Sequence, residues 1–111
     1  NKSALFMPDI NKWADWDTDI AALLKTVDYA LLDATFFADG ELGNRDMSQI
    51  PHPFVVESMA LFSVLPADER DKVWFIHFNH TNPLLDPRSP ESLRVLDAGY
   101  HIATEGLRLP L

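Results

Sequence analysis

Cysteine is absent from all 111 residues, so disulfides, thiolate metal sites and cysteine nucleophiles are excluded together. Positive charge is scarce. Lys and Arg number 9 against 17 Asp and Glu, a formal net charge of −8. Such acidity repels phosphate backbones and anionic lipid, which argues against nucleic-acid binding and a membrane-surface role. No apolar run approaches membrane-spanning length and no secretory signal opens the chain, so the expected location is cytoplasmic. Asn1-Lys2-Ser3 and Asn79-His80-Thr81 fit the glycosylation pattern and are read as chance matches. There is no serine nucleophile elbow, P-loop or dinucleotide glycine fingerprint. Repeats and low-complexity tracts are lacking too.

What is present is core material. At 47% hydrophobic and 11% aromatic residues, the chain is expected to form one small α/β domain. Residues 73–78 are an apolar, aromatic and β-branched run, read as a strand buried on both faces. It runs directly into His77-Phe78-Asn79-His80-Thr81-Asn82-Pro83. Ligands of open α/β sheets gather beyond the carboxyl ends of strands, so this is a site candidate. The same arrangement recurs in Tyr29-Ala30-Leu31-Leu32-Asp33-Ala34-Thr35, where an apolar run delivers one carboxylate.

In chain order, residues 4–7 form a strand stopped by Pro8-Asp9, and Trp13 and Trp16 lie in a surface turn. Asp17, Thr18 and Asp19 suit a helix start, because their oxygens accept from free amides. Ile20, Leu23, Leu24 and Val27 then make one helical stripe. The second strand follows at 29–32. From 36 to 51 the periodicity disappears, with turn chemistry at Asp39-Gly40 and Leu42-Gly43-Asn44. Pro53 is placed at the first position of a helix in which Phe54, Ser58, Leu61, Phe62 and Leu65 share a face. Residues 66–72 read as a charged connector to the third strand. Ser89 as N-cap, Pro90 behind it and a left-handed Gly99 frame a last helix. Residues 100–104 are expected as a fourth strand and 107–109 as a fifth. The order β-α-β-α-β-α-β-β calls for a largely parallel sheet. Three helices cannot cover both faces of so apolar a sheet. With all of them on one face, the other needs a partner or further polypeptide to cover it.

Asp33 and His77 stand at the ends of strands that parallel pairing makes neighbours. Singly, Asp33 is explained as a turn cap and His77 as a core histidine bonded to a carbonyl. Converging, they suit zinc, manganese or iron. His52 closes the irregular loop and could cap the next helix or act as a general acid. Asn79, His80 and Asn82 could line the site or sit in a solvated Asn-Pro turn. His101 is placed on the surface by strand alternation. The Trp13 and Trp16 pair reads as packing, and the acidic Asp15, Asp17 and Asp19 as a solvated face.

Three segments together resemble the metallo-β-lactamase-fold superfamily, in its C-terminal half, and most of all the branch of coenzyme PQQ synthesis protein B. They are Leu31-Leu32-Asp33-Ala34-Thr35-Phe36-Phe37, Arg45-Asp46-Met47-Ser48 with Ile50-Pro51-His52-Pro53, and Ile76-His77-Phe78-Asn79-His80-Thr81-Asn82-Pro83-Leu84-Leu85. The opening Leu5-Phe6-Met7-Pro8-Asp9-Ile10-Asn11-Lys12-Trp13 and the closing Ala98-Gly99 and Glu105-Gly106 look like that branch too.

The resemblance implies half of an αββα sandwich in which Asp33 and His77 are metal ligands and His52 is the catalytic acid or a group that supports the ligands. His80, Asn82 and Asn79 would touch substrate or support the ligands. It implies a divalent metal, zinc first, with iron or manganese as alternatives, and a small-molecule or peptide substrate. His-x-His-x-Asp-His, the superfamily's main metal motif, is missing from the chain. The missing N-terminal half or a homo-oligomer partner would then cover the sheet, and these 111 residues would be inert alone. The reaction expected is metal-dependent hydrolysis, with iron-dependent oxidation in PQQ biosynthesis as the alternative. From another class, a receiver-like domain phosphorylated on Asp33 would need an acidic pair after the first strand and a late Lys. Asp9 stands alone and no Lys follows Lys72.

Overall fold

The first three strands lie on the apolar runs of the sequence. The computed structural model describes residues 2–16, 19–43 and 45–109. Asn1 of the first glycosylation tripeptide, the helix-start residues Asp17 and Thr18, and Asn44 of the turn at 42–44 lie outside the described residues. Strands β1 (Ala4–Met7), β2 (Tyr29–Asp33), β3 (Val73–Ile76) and β4 (His101–Ile102) form one sheet in the order β1-β2-β3-β4. All three pairings are parallel. Helices α1 (Ile20–Leu24), α2 (Val55–Phe62), α3 (Ala67–Arg70) and α4 (Pro90–Asp97) connect them.

Register divides the sheet into two faces. Met7, Leu32, Phe75 and Ile102 form one row, and Leu5, Ala30 and Val73 a second on the same face. On these rows pack Ile20 and Leu24 of α1, Val55, Met59 and Phe62 of α2, and Val95 of α4. Trp13 closes this core. Its indole donates to the buried Ser58 hydroxyl at 2.8 Å, and its ring meets Trp16 at 4.8 Å and Phe62 at 6.2 Å. The tryptophan pair is therefore packing.

The opposite face carries the row Phe6, Leu31, Trp74 and His101. Phe6 is 67% exposed and the other three are half-buried. The expected uncovered face exists. His101 belongs to it and is not simply a surface residue, since its ring stacks on Trp74 at 4.3 Å and its Nε2 lies 2.8 Å from Asp71 Oδ1.

Several boundaries differ from the sequence-based expectation, each for a local reason. Strand β3 stops at Ile76, because His77 has a φ of +67° and leaves the extended region. Strand β4 is only two residues long. Tyr100 before it instead turns into the core, its amide donating to Val95 O and its hydroxyl to Met59 O. Among the described residues 107–109 form no strand, since the turn at Glu105 and Gly106 (φ +85°) diverts the chain from β4. The chain between Pro66 and Lys72 contains the short helix α3, with Pro66 at its N-cap position. Helix α2 starts at Val55 with Phe54 as N-cap, so Pro53 precedes the helix instead of opening it. Leu61 turns outward while Met59 and Val55 take the buried face. Helix α1 ends at Leu24, three residues before Val27. Asp19 caps it as expected, accepting from the amides of Ala21 and Ala22, and Ser89 caps α4.

The irregular stretch between β2 and α2 has a small core of its own. Phe36, Met47 and Phe54 are buried together, with Leu42, Ile50 and Val56 against them. The amides of Val55 and Val56 donate back to Phe36 O and Phe37 O. A compact loop of this kind can hold a side chain in place. The one it holds is His52.

Candidate metal centre

Asp33 is the last residue of β2 and is completely buried, at 0% exposure. A buried carboxylate needs partners on both oxygens. Oδ1 accepts from the Thr35 amide at 2.8 Å and the Thr35 hydroxyl at 2.7 Å. Oδ2 accepts from the Ile10 amide at 3.0 Å and faces His52 Nδ1 at 2.6 Å. An ionised carboxylate only accepts, so His52 carries its hydrogen on Nδ1 there and presents Nε2 away from Asp33.

His77 and Asp33 do not touch. Thr35 stands between them, with its Oγ1 3.0 Å from His77 Nδ1. Among the described residues His77 is the only non-glycine residue with positive φ, a backbone state that costs about 1 kcal/mol or more and tends to persist at functional sites. Parallel pairing of Asp33 with Ile76 puts His77 one residue past the register, on the same edge.

Asp9 completes the cluster. Its Oδ1 lies 3.6 Å from His52 Nδ1. Asp9, Asp33 and His52 each offer a ligand atom, and all three atoms lie within 4.8 Å of one another. Asp9 was not among the residues the sequence singled out for this site, although the signal was present. It stands two positions past the end of β1, the same strand-end placement that marked Asp33. Thr35 was missed for another reason, since its role depends on a residue 42 positions away.

The remaining candidates divide. Asn82 is buried and structural in its contacts: its side chain donates to Ala34 O at 2.6 Å and accepts from the Leu84 amide at 2.9 Å. It ties the turn after β3 to the turn after β2. The Asn79 amide donates to Thr35 O, and its side chain donates to Thr81, which donates to Glu41. His80 is exposed, with no hydrogen bond among the described residues. In the loop, the Ser48 amide bonded to Asp46 Oδ1 holds that exposed carboxyl below its usual range.

No protein-family model matches the chain. Curated relatives do. Coenzyme PQQ synthesis protein B of Pseudomonas putida is 31% identical over 100 residues, covering 86% of this chain and 33% of that protein. Its namesake from Methylococcus capsulatus is 30% identical over 100 residues, covering 83% and 32%. That of Cupriavidus taiwanensis is 27% identical over 115 aligned positions, covering 99% and 37%. The chain thus spans about a third of the length of the curated relatives it matches. Among solved structures, zinc-bound PqqB from Methylobacterium extorquens superposes with a TM-score of 0.76 at 24% identity, covering 97% of this chain and 39% of that one. By sequence and by fold, the chain is homologous to part of coenzyme PQQ synthesis protein B.

Proposed function

We propose that the chain is the C-terminal half of a metal-dependent hydrolase of the metallo-β-lactamase fold acting in PQQ formation, and that it supplies one side of the metal site. The observation that carries this is the double engagement of Asp33. One buried carboxylate faces an imidazole directly on Oδ2 and reaches a second, through a hydroxyl, from Oδ1.

The donor set suits a divalent cation of the zinc, manganese and iron group, which takes carboxylate oxygen and imidazole nitrogen. Asp33 and His77 would hold it, and the Asp9 carboxylate, which the structure groups with Asp33 and His52, would be a further oxygen donor. Zinc is preferred, and the zinc-bound relative is consistent with it. When bound, the metal lowers the pKa of a water ligand toward neutrality and supplies hydroxide. His52, oriented through Nδ1 by Asp33, would take a proton from the attacking water on its free Nε2 and then pass it to a leaving group. Asn79 and Asn82 brace the strand-end turns, and His80 is available to a small-molecule or peptide substrate at the rim.

A catalytic metal usually needs three protein ligands and an open position. The remaining ligands would come from the polypeptide beyond these residues, which would also cover the row Phe6, Leu31, Trp74 and His101. A second copy of the chain is the competing cover. The 111 residues alone would be inactive. Among the described residues no helix is long and apolar enough to cross a membrane. We further propose a cytoplasmic location for the enzyme.

The test is metal analysis of the full-length protein beside its Asp33→Ala variant. Wild type is expected to carry metal and the variant to lose most of it. Unchanged metal content in the folded variant would remove Asp33 from the site. Native iron in place of zinc would transfer the assignment to an oxidation.

A further inference from the structure

We infer that Thr35 is a positioning residue, whose hydroxyl fixes His77 with hydrogen on Nδ1 and leaves Nε2 unprotonated. Thr35 Oγ1 has one hydrogen and two polar neighbours, Asp33 Oδ1 at 2.7 Å and His77 Nδ1 at 3.0 Å. Asp33 Oδ1 also takes the Thr35 amide, and its carboxylate has no hydrogen to give. Two acceptor oxygens 2.7 Å apart with nothing between them repel. The Thr35 hydrogen therefore points to Asp33, and His77 Nδ1 must donate to Thr35.

The chain of donors runs one way, from His77 through Thr35 to Asp33. Its anchor is buried and doubly held, whereas His77 itself is exposed. The backbone contributes as well. The Thr35 carbonyl accepts from Asn79 and Asn82, so the turn bearing the hydroxyl is tied to the turn just past His77. A ligand histidine whose other nitrogen is held by a neutral hydroxyl, itself polarised by a carboxylate, has its free lone pair fixed in direction. The functional consequence rests on the proposal that His77 is a ligand, but the tautomer does not.

The test is the nitrogen-15 ring spectrum of His77 in the metal-free full-length protein, recorded where the ring is neutral. Wild type, Thr35→Val and Thr35→Ser are compared. Wild type and Thr35→Ser are expected to show hydrogen on Nδ1. Thr35→Val is expected to move toward hydrogen on Nε2, the form that neutral imidazole prefers in water. Zinc titration should weaken about 10- to 100-fold in Thr35→Val, as for other lost supporting bonds, and recover in Thr35→Ser. Hydrogen on Nε2 in wild type, or an unchanged tautomer in folded Thr35→Val, overturns the inference. If Thr35→Val does not fold, the wild-type spectrum decides by itself. If wild type takes up no zinc, the metal assignment fails while the spectrum still decides the role of Thr35.

Discussion

His52 Nδ1 sits 2.6 Å from Asp33 Oδ2, a contact that closes a loop across a sequence separation of 19. The loop has its own apolar anchor in Phe36, Met47 and Phe54, and the Phe36 ring meets the His52 ring edge-on at 6.4 Å. The position of His52 therefore depends on a satellite core some distance from the chemistry.

That dependence can be tested at Met47, which is 1% exposed. Met47→Ala should cost about 2 kcal/mol, the low end for a buried Met→Ala change, because a small loop core can partly collapse. Amide exchange across 36–52 should rise more than in β2 and β3, and zinc affinity should fall. Unchanged loop protection would show that Met47 does not anchor His52.

Asn82 joins two strand-end turns by bonds from one buried side chain. Asn82→Ala leaves Ala34 O and the Leu84 amide without these partners, for a loss of about 1–3 kcal/mol. Denaturant unfolding should register that loss. Metal content should fall with it, since Ala34 and Thr35 frame Asp33.

The two sheet faces should respond oppositely to truncation. Phe62 is fully buried against Trp13 and Tyr100, and Phe62→Ala should cost about 3–5 kcal/mol. Phe6→Ser should change the stability of residues 1–111 expressed alone by less than about 0.5 kcal/mol, as for other exposed sites. In the full-length protein the same Phe6→Ser change should be markedly destabilising if further polypeptide covers that face. Equal small effects in both would leave the face uncovered.

Burial raises the pKa of Tyr100 above its ordinary value, while the nearby Arg70 charge pulls the other way. The phenol stays protonated in the folded chain at pH values where the unfolded chain has lost that proton. Its contribution is whole below the unfolded pKa of about 10 and is lost as pH rises through the higher folded value. Unfolding free energy should therefore drop on the alkaline side, and Tyr100→Phe should flatten that drop. An unaltered alkaline limb in the variant would assign the effect to other groups.

Local signals carried much of the fold. Strands β1 and β2 appear where the apolar runs lie, and α4 is framed by Ser89 and Gly99, because capping and hydrophobic runs act within a few residues. The placement of Asp33 and His77 on one sheet edge follows from strand ends and parallel pairing alone. Where competing local signals met, as at 100–109, burial of Tyr100 and the turn at Gly106 outweighed strand patterning.

The sequence by itself determined an α/β chain, acidic and without thiols, with a carboxylate and an imidazole delivered to one edge of its sheet. Tertiary structure alone decided that His52 pairs with Asp33, that Asp9 joins them, and that Thr35 separates Asp33 from His77. Those contacts span separations of 19 to 43 residues, and their geometry comes from the register of the sheet and the packing of a loop. No spacing rule along the chain encodes a distance between side chains that only folding brings together.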